Sequence, residues 1–405
     1  MKKLLCFILA IACLMTSTVA LAETKIINPQ ENRKIKLKKV GLNEVEEGIS
    51  PTTGLTLSSY TVPEGFRGMA ASEEHPYLPV MMQIDNADGG VGVRAPWGAV
   101  YADIVYETIL YRKGDTRLTF LFNDLLSDRA GPTRSARLAH VWLKTEWGAL
   151  FLCHGRQEYD GTNVLKEIAK LEGKSWPNEN TLYFDNNSGG KKWNKYFSRL
   201  ENLQSPHNVN VNVAGLSTLV SSDYIPPNHA FKFTDETPKG DTAVRIDINW
   251  KKDKESNTYG SRLLYDIDSN SYLRYMRQDE NEYLPWIDKD EQVQIAFANV
   301  IVQFTQTKFK AIDAPIQYVT GKDYKVAQGN ADIFMAGKHI AGYWKRDSVK
   351  DRTVYYGPDG EEISLQRGKT LIVIYPDDDV LGFVNPQKNQ SYAGNVSYSD
   401  KLSGD

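Results

Sequence analysis

Apolar positions along this chain fall into short runs and alternations more often than into long helical stripes. Pro79-Val80-Met81-Met82-Gln83-Ile84-Asp85-Asn86 reads as a strand ending in a turn, and Asp88-Gly89-Gly90-Val91-Gly92 as a Gly-rich loop. Tyr101 to Leu110 and Thr116 to Asn123 are strand-like and joined by a hairpin turn over Tyr111–Asp115. Gly131-Pro132-Thr133 signals a helix start, with Leu138, Val141 and Trp142 at helical spacing before Gly148. Ala149 to Cys153 has no polar interruption, which predicts a central strand. A helix is expected over Thr162–Leu171, a strand over Thr181–Phe184, and helices over Lys191–Leu203 and Val213–Val220. Strands and helices alternating after a hairpin predict an α/β (α+β) N-terminal domain with a mixed sheet, over residues 75–225.

Beyond Pro226-Pro227 the pattern changes. Ala243 to Ile248 alternates, and runs near Arg262–Tyr265, Tyr272–Tyr275, Val300–Phe304, Asp332–Met335, Gly342–Lys345 and Thr370–Tyr375 follow, separated by Asn, Asp and Gly turns. They predict a β-rich C-terminal domain over 240–376. Residues 23–74 are polar and lysine-rich and read as an extended leader or linker, and 377–405 as a flexible tail.

Length and composition change this picture little. The 405 residues are enough for two or three domains, and 41% hydrophobic with 24% charged residues is an ordinary globular balance. A net charge of -3 argues against a broadly basic nucleic-acid binder. The N-terminus adds an address. Lys2 and Lys3 precede an apolar run from Leu4 to Met15, and Ala20-Leu21-Ala22 offers a small-x-small cleavage site before Glu23. That order predicts a signal peptide over 1–22 and an extracytoplasmic product. The competing site is Ala10-Ile11-Ala12-Cys13, where Cys13 would be lipidated and bring the chain to a membrane; Ala-Leu-Ala is the better match. After cleavage at Ala22 only Cys153 remains of the three cysteines, so no internal disulfide forms. Cys153 lies in an apolar run and reads as a small buried hydrophobe; His154 beside it would face the other way in a strand.

The stretch that points to chemistry is Gly131-Pro132-Thr133-Arg134-Ser135-Ala136-Arg137. If the helix begins here, Arg134 and Arg137 share a face of its first turn, where free N–H groups favour an anion. An internal salt bridge to Asp85, Asp103 or Glu107 is the competing role of these arginines. His154-Gly155-Arg156 follows the central strand, at the carboxyl end where α/β sheets bind ligands. His207 and Asn208 follow Pro206 in a loop. The candidate binding set is therefore Arg134, Ser135, Arg137, His154, Arg156, His207 and Asn208, with Asp85, Asp103 and Glu107 as supporting acids. There is no Gly-x-Ser-x-Gly elbow, Walker loop or His-Glu-x-x-His, and the six histidines lack metal-ligand spacing. No metal and no cofactor is expected.

Several of these segments also resemble a known family. Pro79–Asn86, Ala102-Asp103-Ile104-Val105-Tyr106-Glu107, Gly131–Arg137 and Pro206-His207-Asn208 stand in the order found in the YerB-like bacterial envelope lipoproteins, whose domains are of unknown function. Asn299–Gln303, Gly342–Arg346 and Pro358–Ile363 resemble its C-terminal domain, and Ser50-Pro51-Thr52-Thr53-Gly54-Leu55 the segment before its first domain. The resemblance implies an exported two-domain protein, usually lipid-anchored, and no established reaction. The expectation is an envelope protein that binds an anionic wall component or a protein partner through the Arg/His edge, without nucleic acid. The alternative is a hydrolase of wall glycan or peptide, with His154 or His207 as acid/base.

Overall fold

The computed structural model describes residues 23–38, 42–43, 46–57, 69–70, 78–87, 96–112, 114–173, 182–187, 191–221, 223–227, 229–250, 259–278, 282–377 and 396–402. The expected signal segment and the loop Asp88–Gly92 lie outside them.

Among the described residues eleven strands form one large sheet. They are β1 (Val80–Ile84), β2 (Ile104–Ile109), β3 (Thr116–Phe122), β4 (Leu150–Cys153), β5 (Tyr183–Asp185) and β6 (Asp241–Thr242). From the second half come β7 (Asn299–Thr305), β8 (Ala327–Met335), β9 (Lys338–Arg346), β10 (Val354–Tyr356) and β11 (Thr370–Pro376). The order is β6-β9-β8-β7-β11-β2-β3-β1-β4-β5, with β10 beside β9. The sheet is mixed: β7–β11, β11–β2, β1–β4 and β4–β5 are parallel, while β2–β3 and β3–β1 are antiparallel. The two halves of the chain meet inside it, where Ile104 to Thr108 of β2 pairs with Thr370 to Ile374 of β11.

Successive residues of a strand point to opposite faces, and both faces here are covered. Val80, Met82, Val105 and Ile109 enter one core with Ile246, Leu263 and Tyr272 of a second, seven-stranded sheet and with Trp286 beside it. Met81, Ile104, Tyr106 and Phe151 enter another with Leu138, Val141 and Trp142 of helix α1 (Leu138–Trp147). Two more helices follow, α2 (Val164–Glu172) and α3 (Val213–Ser217). Asn163 caps α2, its Oδ1 accepting the Lys166 N–H at 2.9 Å.

These helices are short, so the fold is strand-rich with mixed sheets, and the expected α/β emphasis overstated the helical share. The expected helix over Lys191–Leu203 is a 3-10 turn (Lys192–Tyr196) followed by a strand (Phe197–Arg199) paired with Val209–Val211. Its residues include Asn, Tyr, Phe and Ser, weak helix formers that pairing with another strand overrides.

The expected leader and tail are, where described, part of the body. Thr24–Ile26 pairs with Val396–Ser399, which pairs with Arg245–Ile248. Arg33 donates to both carboxylate oxygens of Asp332 at 3.0 and 2.8 Å, and the Asp332 side chain is fully buried. Ser50 and Thr53 donate to Asp124 at 2.6 Å each. Polar composition suggested a spacer; buried carboxylates waiting for partners explain why the segment docks instead. No helix among the described residues is long and apolar enough to cross a membrane.

Candidate functional site

Because β1, β4 and β5 run parallel, their carboxyl ends lie on one edge, and Asp85, His154 and Asp185 stand there. The segment Thr133–Ala136 is laid across this edge in extended form. Arg134 N–H donates to Gln83 O at 3.0 Å, His154 N–H to Arg134 O at 3.2 Å, and Ala136 N–H to Gly155 O at 3.0 Å. Gly155 has φ +84, and a Cβ there would sit 3.0 Å from Ser135 Oγ, so the close approach and the left-handed turn both require glycine.

Helix α1 consequently begins at Leu138, later than the Gly-Pro-Thr signal implied, with Arg137 as its N-cap in extended conformation. Arg134 and Arg137 do not share a first helical turn. His140 holds this start: its Nδ1 accepts the Arg137 N–H at 3.0 Å, and its Nε2 lies 3.0 Å from Thr108 Oγ1. Burial, then Arg117 and Arg137, push the His140 imidazole well below its usual range, so it stays neutral.

On the edge, Asp85 Oδ2 lies 2.5 Å from His207 Nδ1 and 3.0 Å from Arg134 Nε. Burial would raise the Asp85 carboxyl, but His207, Arg117 and Arg134 together hold it below the usual carboxylate range. It is therefore ionised, and His207 Nδ1 is the donor. The neighbouring Asn208 accepts from Arg199 Nη1 at 2.7 Å, and Arg199 Nη2 donates to His154 Nε2 at 3.2 Å. Burial and the Arg199 charge lower the His154 pKa, consistent with its role as acceptor. Arg134–Asp85–His207 and Asn208–Arg199–His154 thus form two short polar chains, brought side by side because His207 and Asn208 are consecutive.

Beneath it lie two more guanidinium groups. Arg117 Nη1 donates to Ser135 O at 2.8 Å, and Arg137 Nη1 approaches the same oxygen at 3.5 Å and Ala136 O at 3.1 Å. Burial, then the neighbouring Arg137, push Arg117 down to about 9, and burial lowers Arg137 as well. Among the described residues neither has a carboxylate within ion-pair distance.

The other expected members sit apart. Arg156 Nη1 pairs with the buried Asp185 at 2.6 Å and its Nε with Glu158 at 2.7 Å. Ser135 Oγ donates to His154 O at 3.2 Å and has no base beside it among the described residues. Asp103 and Glu107 do not support the arginines. Asp103 accepts from Thr52 Oγ1 at 2.8 Å and from the Asp124 N–H at 3.0 Å, and burial and Asp124 push it well up. Glu107 pairs with Arg274 at 2.6 Å and accepts from Thr116 Oγ1 at 2.8 Å. Both face away from the edge, toward partners distant in sequence. Cys153 is buried, donates to Tyr183 Oη at 3.3 Å, and has its thiol pushed well up by burial, so it is no nucleophile. The sequence reading missed Arg117, Arg199 and Asp185. Asp185 ends a strand parallel to the one before His154, a signal that could have found it; Arg117 inside a strand and Arg199 in a supposed helix gave none. Among the described residues no group of three or more His, Cys, Asp or Glu is arranged to hold a metal ion.

Residues 66–225 match the N-terminal domain of the protein family of unknown function DUF3048, and residues 246–372 match its C-terminal domain. The chain belongs to this YerB-like family, with its two domains in the expected order. The crystal structure of the YerB protein from Bacillus subtilis is similar over 82% of this chain and 98% of that one, at a TM-score of 0.60 and 19% identity. At that identity the likeness shows a shared fold. No curated protein matches.

Proposed function

We propose that the chain is an exported envelope protein that binds, without catalysis, an anionic group of a wall component or partner at the edge formed by Arg134, His154, Arg199, His207 and Asn208. One observation carries this reading. Arg117, Arg134 and Arg137 are gathered around Ser135, and Asp85 is the one carboxylate within ion-pair distance of any of them among the described residues. Buried cations that face neutral carbonyls are stabilised by an incoming anion. The basic n-region and the Ala-Leu-Ala site support the export part of the reading. Binding of the purified protein to isolated envelope fractions tests it. An Arg134→Ala/Arg199→Ala variant with an unchanged circular dichroism spectrum is expected to lose most of that binding. Retention at the wild-type level overturns the reading.

The His207–Asp85 contact at 2.5 Å favours a second reading, hydrolysis of wall glycan or peptide with His207 as the acid/base. Turnover of wall fragments by the wild type, abolished in His207→Asn, would put that reading first.

A further inference from the structure

The reading above leaves the charge of the anion open. We infer that the edge takes a doubly charged oxyanion of the phosphate-monoester class in preference to singly charged ones, an inference that rests on the proposed function.

The argument is a balance of charge in a confined place. Arg117 and Arg137 converge on one carbonyl oxygen, Ser135 O, at 2.8 and 3.5 Å, and Arg134 is the residue before it. Three guanidinium charges meet one carboxylate, Asp85, which already serves both Arg134 and His207. The surplus among Arg117, Arg134, Arg137 and Asp85 is two positive charges, and Arg199 adds a third at the exposed end. Arg117 and Arg137 are only 3% and 9% exposed, so water screens them poorly. Their Nε atoms have no hydrogen-bond partner among the described residues. A dianion offsets most of this surplus, while a monoanion leaves two of the cations uncompensated.

Access follows from exposure. The Arg134 and His207 side chains are 21% and 19% exposed, and Arg199 is open to solvent. The ligand therefore touches Arg134, His207 and Arg199, while Arg117 and Arg137 act through their field. Asp85 repels a dianion more than a monoanion, but its single charge is outnumbered by Arg117, Arg134, Arg137 and Arg199, so the net field still favours the higher ligand charge.

Isothermal titration of the intact protein at about pH 8 and fixed ionic strength tests this, with inorganic phosphate and sulfate then dianions and acetate and dimethyl phosphate monoanions. The dianions are expected to bind about tenfold or more tightly than the monoanions, and Arg134→Ala to weaken the dianions by a similar factor, the loss of one charge-assisted hydrogen bond. Arg117→Met is expected to weaken the dianions without changing the monoanions as much; if that variant does not fold, the Arg134→Ala comparison still decides. Equal affinity for both classes overturns the dianion inference and leaves the proposed function standing. Absence of binding by every anion, in wild type and variants, overturns both.

Discussion

The ion pair between Glu107 and Arg274 offers a demanding test of how the two halves are joined. Glu107 belongs to β2, and Arg274 to the strand Ser271–Arg277 of the second sheet. Both side chains are fully buried, 2.6 Å apart, and the guanidinium lies over the Trp286 ring at 4.6 Å. At that separation two unit charges attract by about 6 kcal/mol at an effective dielectric near 20. Most of this offsets the desolvation of both groups, so the pair itself adds little net stability. Removing one partner is different, because the remaining charge keeps its desolvation cost. Glu107→Gln should therefore destabilise the fold by about 3 kcal/mol, near the low end for a broken buried pair, since the amide still accepts a hydrogen bond. The Glu107→Leu/Arg274→Met double variant should recover to within about 1 kcal/mol of wild type. Urea unfolding followed by tryptophan fluorescence and by far-ultraviolet circular dichroism measures both. A Glu107→Gln change below about 0.5 kcal/mol, or a double variant no more stable than the single one, would refute the reasoning.

Two further outcomes follow from the same structure. Arg33→Ala should cost about 2–3 kcal/mol, since it leaves the buried Asp332 with His339 as its remaining ionic partner at 2.6 Å; hydrogen exchange should then show amides of the Thr24–Ile26 strand opening faster, and unchanged protection would count against the docked N-terminal segment. Acid should weaken the fold below about pH 6.5, because His140, His154 and His229 have pKa values lowered on folding, chiefly by burial. The unfolded chain then binds more protons than the folded one, so the stability these groups contribute is full above the unfolded pKa and is lost as pH falls toward the folded values. Asp103, whose carboxyl is pushed well up, acts in the opposite sense over this range; thermal melts of an Asp103→Asn background at pH 7 and 5 therefore check the sign, and a higher midpoint at pH 5 would contradict it.

Much of the strand framework was legible because each strand carries its own signal. Val80–Ile84, Thr116–Phe122 and Leu150–Cys153 are rich in apolar residues and buried on both faces, as a doubly covered sheet demands, and the Tyr111–Asp115 turn closes the hairpin where expected. Trp142 is buried, as its helical spacing implied. What the sequence hid are pairings set by distant residues. Nothing near Glu107 announces Arg274, and nothing near Thr24 announces Val396–Ser399. Of the candidate site, Arg134 crosses and His154 follows a strand end of one sheet edge beside Asp85, while His207 and Asn208 reach it from the loop before Val209–Val211. The helical-face argument for Arg134 and Arg137 failed because the chain stays extended through Ala136 to bond Gly155. Arg199 reaches the edge through a hairpin where the sequence reading expected a helix.

The central claim is that the Arg/His edge holds an anion, and a crystal structure grown with inorganic phosphate tests it most directly. The account predicts phosphate density within hydrogen-bond distance of Arg134, His207 and Arg199, beside an intact His207–Asp85 contact. Water alone at that edge under saturating phosphate, with the arginines unmoved, would contradict it and leave the cluster as a device of the fold.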